Sequence, residues 1–346
     1  MSEFYDGTKL LSMRDIDNKI PEIYMCTSNR SAGKTTFFNR MLVNAYKKKG
    51  EKFCLLYRFN YELDDCANKF FKEIGSLFFP TDIMTSIRRS KGKYYELFLD
   101  EKSCGYAVAL NDADSIKKIS HFFVDVKRML MDEFQSETTH YCNDEVRKFR
   151  SIHTSMARGD GKQVRYLPVY MVSNPVTLLN PYYSAMDISS RLTKDTRFLK
   201  GKGFVLEQGY NESASTAQKE SRFNLAFSDD EKYMQYTSEA VYLNDNQSFI
   251  ERPKGVGRYL CTIKHMNREY AIREYTTQGI VYCDDKVDVS FKNKLSVTTD
   301  DHNVNYVMLK NNEMFLSTLR YLFETGCFRF KDLRCKEAIL KALSYY

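Results

Sequence analysis

Along the first half of the chain, short apolar runs alternate with stretches in which apolar residues recur at helical spacing. Glu22-Ile23-Tyr24-Met25-Cys26-Thr27 has the pattern of a buried strand running into a polar loop, and beyond it Phe37, Phe38, Met41, Leu42 and Ala45 share one helical face. Phe53 to Tyr57 repeats the strand pattern, and Ala67, Phe70, Phe71 and Ile74 place a second helix behind it. Strand and helix in this alternation predict a parallel sheet. From Thr85 to Leu110 the rhythm changes to antiparallel strands appended to that sheet, with Lys91-Gly92-Lys93 as a turn and runs at Tyr95–Leu99 and Tyr106–Leu110. Arg128-Met129-Leu130-Met131 reads as a strand lying beside the first and ending in Asp132-Glu133. A helix through Val146, Phe149, Ile152 and Met156 follows, then a buried strand from Val164 to Val172 that ends in Ser173-Asn174-Pro175.

Gly201 to Ser221, centred on GYNESASTAQKES, is rich in Ser, Gly and charge and reads as a linker, so a boundary is expected between about Asp195 and Asn246. Beyond it Arg258–Ile263 and Glu269–Thr276 alternate around His265-Met266-Asn267-Arg268 as a hairpin, and Gly279–Cys283 adds a third strand. Two helices close the chain, Glu313–Thr325 with Gly326 as its stop and Leu333–Leu343. The expected organisation is an α/β domain over residues 1–200, a linker subdomain over 201–245 and a small α+β domain over 246–346.

Composition removes whole classes. With 346 residues, 43% of them hydrophobic, and six prolines, the chain can bury two cores and is not disordered or collagen-like. Its nine cysteines are scattered and never form a C-x-x-C pair, which excludes a disulfide framework and a zinc ribbon and suits reduced, buried thiols. No run approaches the ~18 apolar residues of a membrane span, and the start MSEFYDGTKLLSMRD lacks the order of a signal peptide, so a cytoplasmic address is expected. The net charge of +7 suits an anionic partner without naming one.

Ser28-Asn29-Arg30-Ser31-Ala32-Gly33-Lys34-Thr35 carries the phosphate-loop pattern G-x-x-x-x-G-K-[ST], with Ser28 in place of the first glycine and the required strand before and helix after it. Backbone N–H groups from Ser28 through Thr36 would face the phosphates of ATP. Lys34 would reach the β- and γ-phosphates, and Thr35 would ligate Mg²⁺. Asp132 fits the carboxylate that holds the metal, and the adjacent Glu133 fits the base that orients or deprotonates the attacking water. Asn174 is placed either to sense the γ-phosphate or to cap a turn before Pro175. Arg158, in Ala157-Arg158-Gly159-Asp160-Gly161, sits in a loop from which a guanidinium can reach a neighbouring subunit's nucleotide, although taken alone it reads better as a surface arginine. Arg30 and Arg58 lie near the nucleotide by topology, either as contacts or as loop support.

On these residues the chain resembles the DNA encapsidation ATPases of small protein-primed podophages (Picovirinae). The resemblance spans nearly the whole chain. It rests on the loop with its internal Arg30, on Met131-Asp132-Glu133-Phe134, and most specifically on Val172-Ser173-Asn174-Pro175-Val176-Thr177-Leu178-Leu179-Asn180-Pro181-Tyr182-Tyr183. Ser221-Arg222-Phe223, Ser248-Phe249-Ile250-Glu251-Arg252 and Gly326-Cys327-Phe328-Arg329-Phe330 also match. The resemblance implies a P-loop NTPase of the additional-strand catalytic-glutamate class. It implies a pentameric ring at the portal (connector) of an empty capsid in the host cytoplasm, hydrolysing ATP to drive double-stranded DNA inward. It also implies Arg158 as an arginine finger acting in trans, and a second domain like a ribonuclease-H-type nuclease that has lost its metals. Some relatives dock on a structural packaging RNA, and this sequence does not distinguish that case. Ser28 and Phe59 depart from the family pattern and bear on the loop geometry and on the role of Arg58.

The second domain carries 16 Lys or Arg against 12 Asp or Glu from Glu251 onward, a balance compatible with phosphate contacts or with an ordinary solvated surface. A two-metal nuclease needs converging carboxylates; Asp284, Asp285, Asp288, Asp300 and Asp301 are the candidates, set in charge-mixed stretches that favour a dead site. The competing readings are a packaging enzyme with a live nuclease and a nucleotide-gated binding protein without turnover.

Overall fold

The computed structural model describes residues 4–138, 140–159, 161, 163–178, 180–188, 191–192, 196–226 and 250–343. The chain divides into two compact units, Met1–Met186 with Leu192–Leu243, and Asp187–Arg191 with Asn244–Tyr346.

In the first unit the strands are β1 (Ile23–Thr27), β2 (Lys52–Tyr57), β3 (Met84–Arg89), β4 (Tyr94–Leu99), β5 (Lys102–Ala109), β6 (Val126–Asp132), β7 (Val169–Ser173), β8 (Phe198–Gly201) and β9 (Phe204–Gln208). They form one sheet in the order β3-β4-β5-β2-β6-β7-β1-β9-β8. The run from β5 to β9 is parallel throughout, and the antiparallel strands lie at the two edges. The helices are α1 (Thr8–Ser12), α2 (Lys34–Lys49), α3 (Asn60–Phe78), α4 (Ala113–Lys118), α5 (Glu145–Met156), α6 (Pro181–Ala185), α7 (Glu212–Glu220) and α8 (Arg222–Leu225). The apolar positions that set the helical period are the ones that go inside. Phe38, Leu42 and Val43 of α2 and Phe70, Phe71 and Ile74 of α3 bury against Leu55, Leu130, Tyr170 and Val172 of the sheet. Each such side chain is worth ~1.5–3 kcal/mol of transfer free energy. Because βαβ crossovers leave their loops at the carboxyl ends of the strands, the loops after β1, β2, β6 and β7 gather at one end of the sheet.

Two sequence expectations change. The strand ending in Asp132 is not the neighbour of β1, because β7 is inserted between them, the strand order that the resemblance to the additional-strand class implies. The antiparallel addition is as expected, with β3, β4 and β5 pairing antiparallel in turn, and β5 attaches it to the rest of the sheet by a parallel pairing with β2. The segment read as a linker from Gly201 holds β9, paired in parallel along the whole of β1. Phe204, Val205 and Leu206 are buried there, and the Ser- and charge-rich residues that follow concealed this three-residue apolar run from a compositional reading. Residues 227–249, with Ser248, Phe249 and Asn246, lie outside the described residues, as do Asp160, Leu179 and Asp195.

The second unit is a six-stranded sheet in the order β14-β13-β10-β11-β12-β15, built from β10 (Arg258–His265), β11 (Arg268–Tyr275), β12 (Ile280–Asp284), β13 (Lys294–Ser296), β14 (Val307–Met308) and β15 (Phe328–Phe330). The meander β10-β11-β12 is the expected hairpin with its third strand. The two closing helices, α9 (Glu313–Glu324) and α10 (Leu333–Leu343), supply Leu316, Leu319 and Ile339 to a core with Ile263, Ile272 and Cys283. No helix of the described residues is long and apolar enough to cross a membrane.

Candidate functional site

The loop from Ser28 to Gly33 joins β1 to α2. Ser28 and Asn29 are buried, and the tight curvature is carried by Ser31 and Gly33, at φ 61° and 88°. Gly33 takes the left-handed backbone that only glycine adopts without strain. Ser28 does not adopt it, which explains why serine serves at the first position. Lys34, the first residue of α2, turns its ammonium back over the loop and donates to Ser28 O at 3.0 Å, Asn29 O at 3.1 Å and Asn174 Oδ1 at 3.1 Å. Burial holds this lysine below its ordinary pKa, with Cys26 and Asp132 opposing the shift. Thr36 stands in the first turn of the same helix.

Thr35 hydrogen-bonds the Asp132 side chain at the end of β6. Burial, reinforced by the charge of Glu133, pushes the Asp132 carboxyl up to about 6 against that bond. Glu133 is exposed, and its φ of 50° puts a non-glycine residue in the left-handed region, a conformation costing ~1–3 kcal/mol that concentrates at functional sites. What holds it there is visible. Its N–H donates to Asp132 Oδ1 at 2.9 Å, and its carbonyl accepts from Arg58 Nη2 at 3.2 Å.

Arg58 also donates to Phe134 O at 3.0 Å, lies over the Tyr141 ring and pairs through Nε with both Glu145 oxygens, at 3.1 and 2.9 Å. Its strongest engagement is this buried pair, so it braces the loop after β6. Glu145 accepts in addition from Cys142 N and Tyr182 OH, at 2.8 and 2.9 Å. The Asn-Pro-Tyr segment belongs to the same brace. Asn180 caps α6 by accepting from Tyr183 N, Pro181 opens the helix, and the buried Tyr183 hydroxyl accepts from Gln135 Nε2 at 3.3 Å. Gln135 Oε1 in turn accepts from Val176 N and Thr177 N. Sequence reasoning missed Glu145, Gln135 and Tyr182 as parts of the site. The available signal for Gln135 and Tyr182 was their placement, immediately after Asp132-Glu133-Phe134 and inside the Asn-Pro-Tyr run, whereas nothing in the sequence marked Glu145.

Two cavities open on this end of the sheet. One of 320 Å³ is lined by Arg30, Arg58, Glu133, Gln135, Ser173 and Asn174 among others, and one of 270 Å³ by Thr35, Asn39, Glu62, Asp132 and Glu133 among others. Arg30 reaches across the first to Glu137 at 2.7 Å. Of the residues expected at the site, Ser28 to Thr36, Asp132, Glu133 and Asn174 converge, with Arg58 behind them. Arg158 does not join them. Helix α5 begins at the brace, runs ~18 Å and ends at Met156, where Arg165 ties Met156 O to Val126 O at the amino end of β6. Arg158 follows, exposed, at the opposite end of the sheet from its own chain's phosphate loop.

The second unit treats its acidic residues differently. Asp284 pairs with Arg273, Asp285 with Lys331, Asp288 closes a turn on Ser290 N, and Asp301 accepts from Met266 N, Asn267 N and the Thr298 hydroxyl. Among the described residues no three His, Cys, Asp or Glu side chains are grouped to hold a metal ion.

Compared with known proteins, the chain is 26% identical over 335 residues to the DNA packaging protein of Bacillus phage phi29, covering 96% of this chain and 94% of that one. It is 23% identical over 309 residues to the DNA packaging protein of Bacillus phage B103, covering 88% and 90%. Among solved structures it superposes on a chain of the bacteriophage phi29 viral genome packaging motor assembly with a TM-score of 0.63 at 22% identity, over 99% of this chain and 98% of that one. On the Phi-28 gp11 DNA packaging motor the TM-score is 0.65 at 15% identity, over 100% and 99%. These likenesses give the same fold from end to end. The model of the podovirus DNA encapsidation protein (Gp16) family matches residues 1–343, and the chain belongs to that family.

Proposed function

We propose that the protein is an ATP-hydrolysing packaging motor subunit that moves double-stranded DNA into a preformed capsid, acting in a homo-oligomeric ring, a pentamer by family resemblance, at the portal. The observation that carries this is the meeting, at one end of one sheet, of Lys34 over its loop, Thr35 on Asp132 and Glu133 strained toward the cavity. Lys34 exchanges its bonds to Ser28 O and Asn29 O for phosphate oxygens. Glu133, with its backbone fixed from both sides, offers its carboxylate to a water in line with the γ-phosphate. Asn174, already on Lys34 Nζ, is placed to register whether that phosphate is present. The donor set suits Mg²⁺: a hydroxyl and a carboxylate hydrogen-bonded together, the carboxyl raised by its burial beside Glu133. Thr35 and Asp132 would hold the ion, whose chemistry there would be to offset the charge developing on the phosphates.

Arg158, remote from its own chain's loop and exposed, suits a finger offered to the next subunit's nucleotide. The engaged state of Asp284, Asp285, Asp288 and Asp301 favours a metal-free relative of ribonuclease-H-type nucleases in the second unit, with a DNA-gripping role, over a live nuclease. Steady-state ATPase of the purified chain tests the proposal. Mg²⁺-dependent turnover stimulated by duplex DNA is expected, and nucleotide binding without turnover would replace the motor with a gated binding protein.

A further inference from the structure

The segment after β9 is bonded at three successive points to the end of β1 and the phosphate loop that follows it. Gly209 N–H donates to Thr27 O at 2.6 Å, continuing the β1–β9 ladder one step past the end of β9. A Cβ at Gly209 would stand 3.3 Å from Ser28 Cβ, so glycine is what lets the two chains approach. The wholly buried Asn29 side chain then makes a reciprocal pair with the backbone of Asn211: Asn29 Nδ2 donates to Asn211 O and Asn211 N–H donates to Asn29 Oδ1, both at 2.9 Å. The Asn211 side chain caps α7 by accepting from Ala214 N at 2.8 Å. At the far end of α7, Gln218 Nε2 donates to the Ser31 hydroxyl at 2.9 Å, while Gln218 O and Oε1 accept from Asn224 Nδ2 of α8 at 2.8 and 2.9 Å. The second and fourth residues of the loop are thus tied to the two ends of one short helix, and through Gln218 to the next.

We infer that α7 and α8 are mechanically linked to the phosphate loop through Asn29–Asn211 and Ser31–Gln218–Asn224, so that nucleotide occupancy is transmitted into these helices. The inference rests on the nucleotide-binding reading above. The same Asn29 whose side chain holds Asn211 accepts Lys34 Nζ at its carbonyl, 3.1 Å away. A phosphate oxygen that draws Lys34 off that carbonyl frees the Asn29 peptide to rotate, and a buried side chain bonded at both ends transmits such a rotation, because packed interiors shift between discrete arrangements. Ser31, left-handed and exposed at the lip of the loop, moves with it. Asn29 and Gln218 are positioning residues here. The helices they hold immediately precede, along the chain, the residues that lead into the second unit.

Amide hydrogen exchange of the full-length protein, with and without Mg²⁺ and the non-hydrolysable analogue AMP-PNP, tests the link. In the wild type, exchange across residues 212–225 should slow by about threefold or more on AMP-PNP binding. In Gln218→Ala that difference should vanish while AMP-PNP affinity and DNA-free ATP turnover stay unchanged and stimulation by DNA is lost. Asn29→Ala should also remove the difference. A merely structural tie would raise exchange equally with and without nucleotide and leave the difference intact, which overturns the inference. So does a wild-type protein that binds AMP-PNP with no response in 212–225, an outcome that leaves the nucleotide-binding reading standing. Failure of the wild type to bind AMP-PNP removes that reading and the link together.

Discussion

The two units use acidic side chains in opposite ways. At the carboxyl end of the first sheet, Asp132 and Glu133 are adjacent, one raised to about 6 and bonded to Thr35, the other exposed and held in a strained backbone. In the second unit Asp284, Asp285 and Asp301 are engaged by Arg273, by Lys331 in a half-exposed pair and by the turn at Met266 and Asn267, although one buried oxygen of Asp284, Oδ2, has no hydrogen-bond partner among the described residues. A carboxylate spent on a guanidinium or a backbone turn has few lone pairs left for a metal or a water. What separates a site from a structural cluster is therefore charge left uncompensated and strain that neighbouring residues maintain.

Removing Arg158 tests the reach of the first unit most severely. Arg158→Ala should lower turnover by up to ~10³–10⁵ while each subunit still binds ATP. Mixing it with Glu133→Gln should recover activity, since some junctions then pair an intact Glu133 with an intact Arg158. No recovery in rings shown to exchange subunits would break the trans assignment.

Glu133→Gln should slow hydrolysis by ~10²–10⁴ with ATP affinity nearly intact, whereas Lys34→Ala should lose affinity as well. Turnover at the wild-type rate in Glu133→Gln would erase the contrast between the units. Glu145→Ala leaves Arg58 buried and unpaired and should cost ~3–5 kcal/mol, read by denaturant unfolding. Asp284→Asn should likewise destabilise the second unit by stranding Arg273, with no cleavage of duplex DNA in Mg²⁺ or Mn²⁺ before or after the change. Cleavage that disappears on mutation would convert the second unit into a live nuclease.

Smaller effects sharpen the comparison at the surface. Neutralising the exposed Lys286 and Lys292 should flatten the slope of log affinity for duplex DNA against log salt by ~0.9 for each phosphate no longer neutralised, and leave DNA-free turnover alone. Lys336, by contrast, is buried, and Lys331 is exposed but shared with Asp285 in a half-exposed pair, so a smaller effect is expected from either. Glu137→Ala, which opens the half-exposed pair with Arg30, should change stability by under ~1 kcal/mol.

Much was legible in the chain because the signals are local. The loop pattern at Ser28–Thr35, the apolar run into Asp132-Glu133 and the helical spacing behind each of them depend on residues a few positions apart. The chemistry proposed for them, phosphate binding and metal ligation, requires those residue types wherever the strands fall. The hairpin around His265–Arg268 and the last two helices were readable for the same reason.

Tertiary structure decided what depends on partners distant in sequence. Whether Arg58 touches a phosphate or braces a loop is set by Glu145, 87 residues away, whose buried carboxylate takes both of its oxygens to the guanidinium. Whether Phe204-Val205-Leu206 is linker or strand is set by β1, which offers it a ladder. Asn29 could not be separated from its loop neighbours until Asn211, 182 residues on, appeared beside it. The sequence by itself determined which chemistry this protein can perform, because functional groups and short-range periodicity are written in the residues. Only the folded chain decided which charges remain free to perform it, because neutralisation of a buried charge is a matter of distance in space, and the strand order that sets that distance is fixed by packing across the whole sheet.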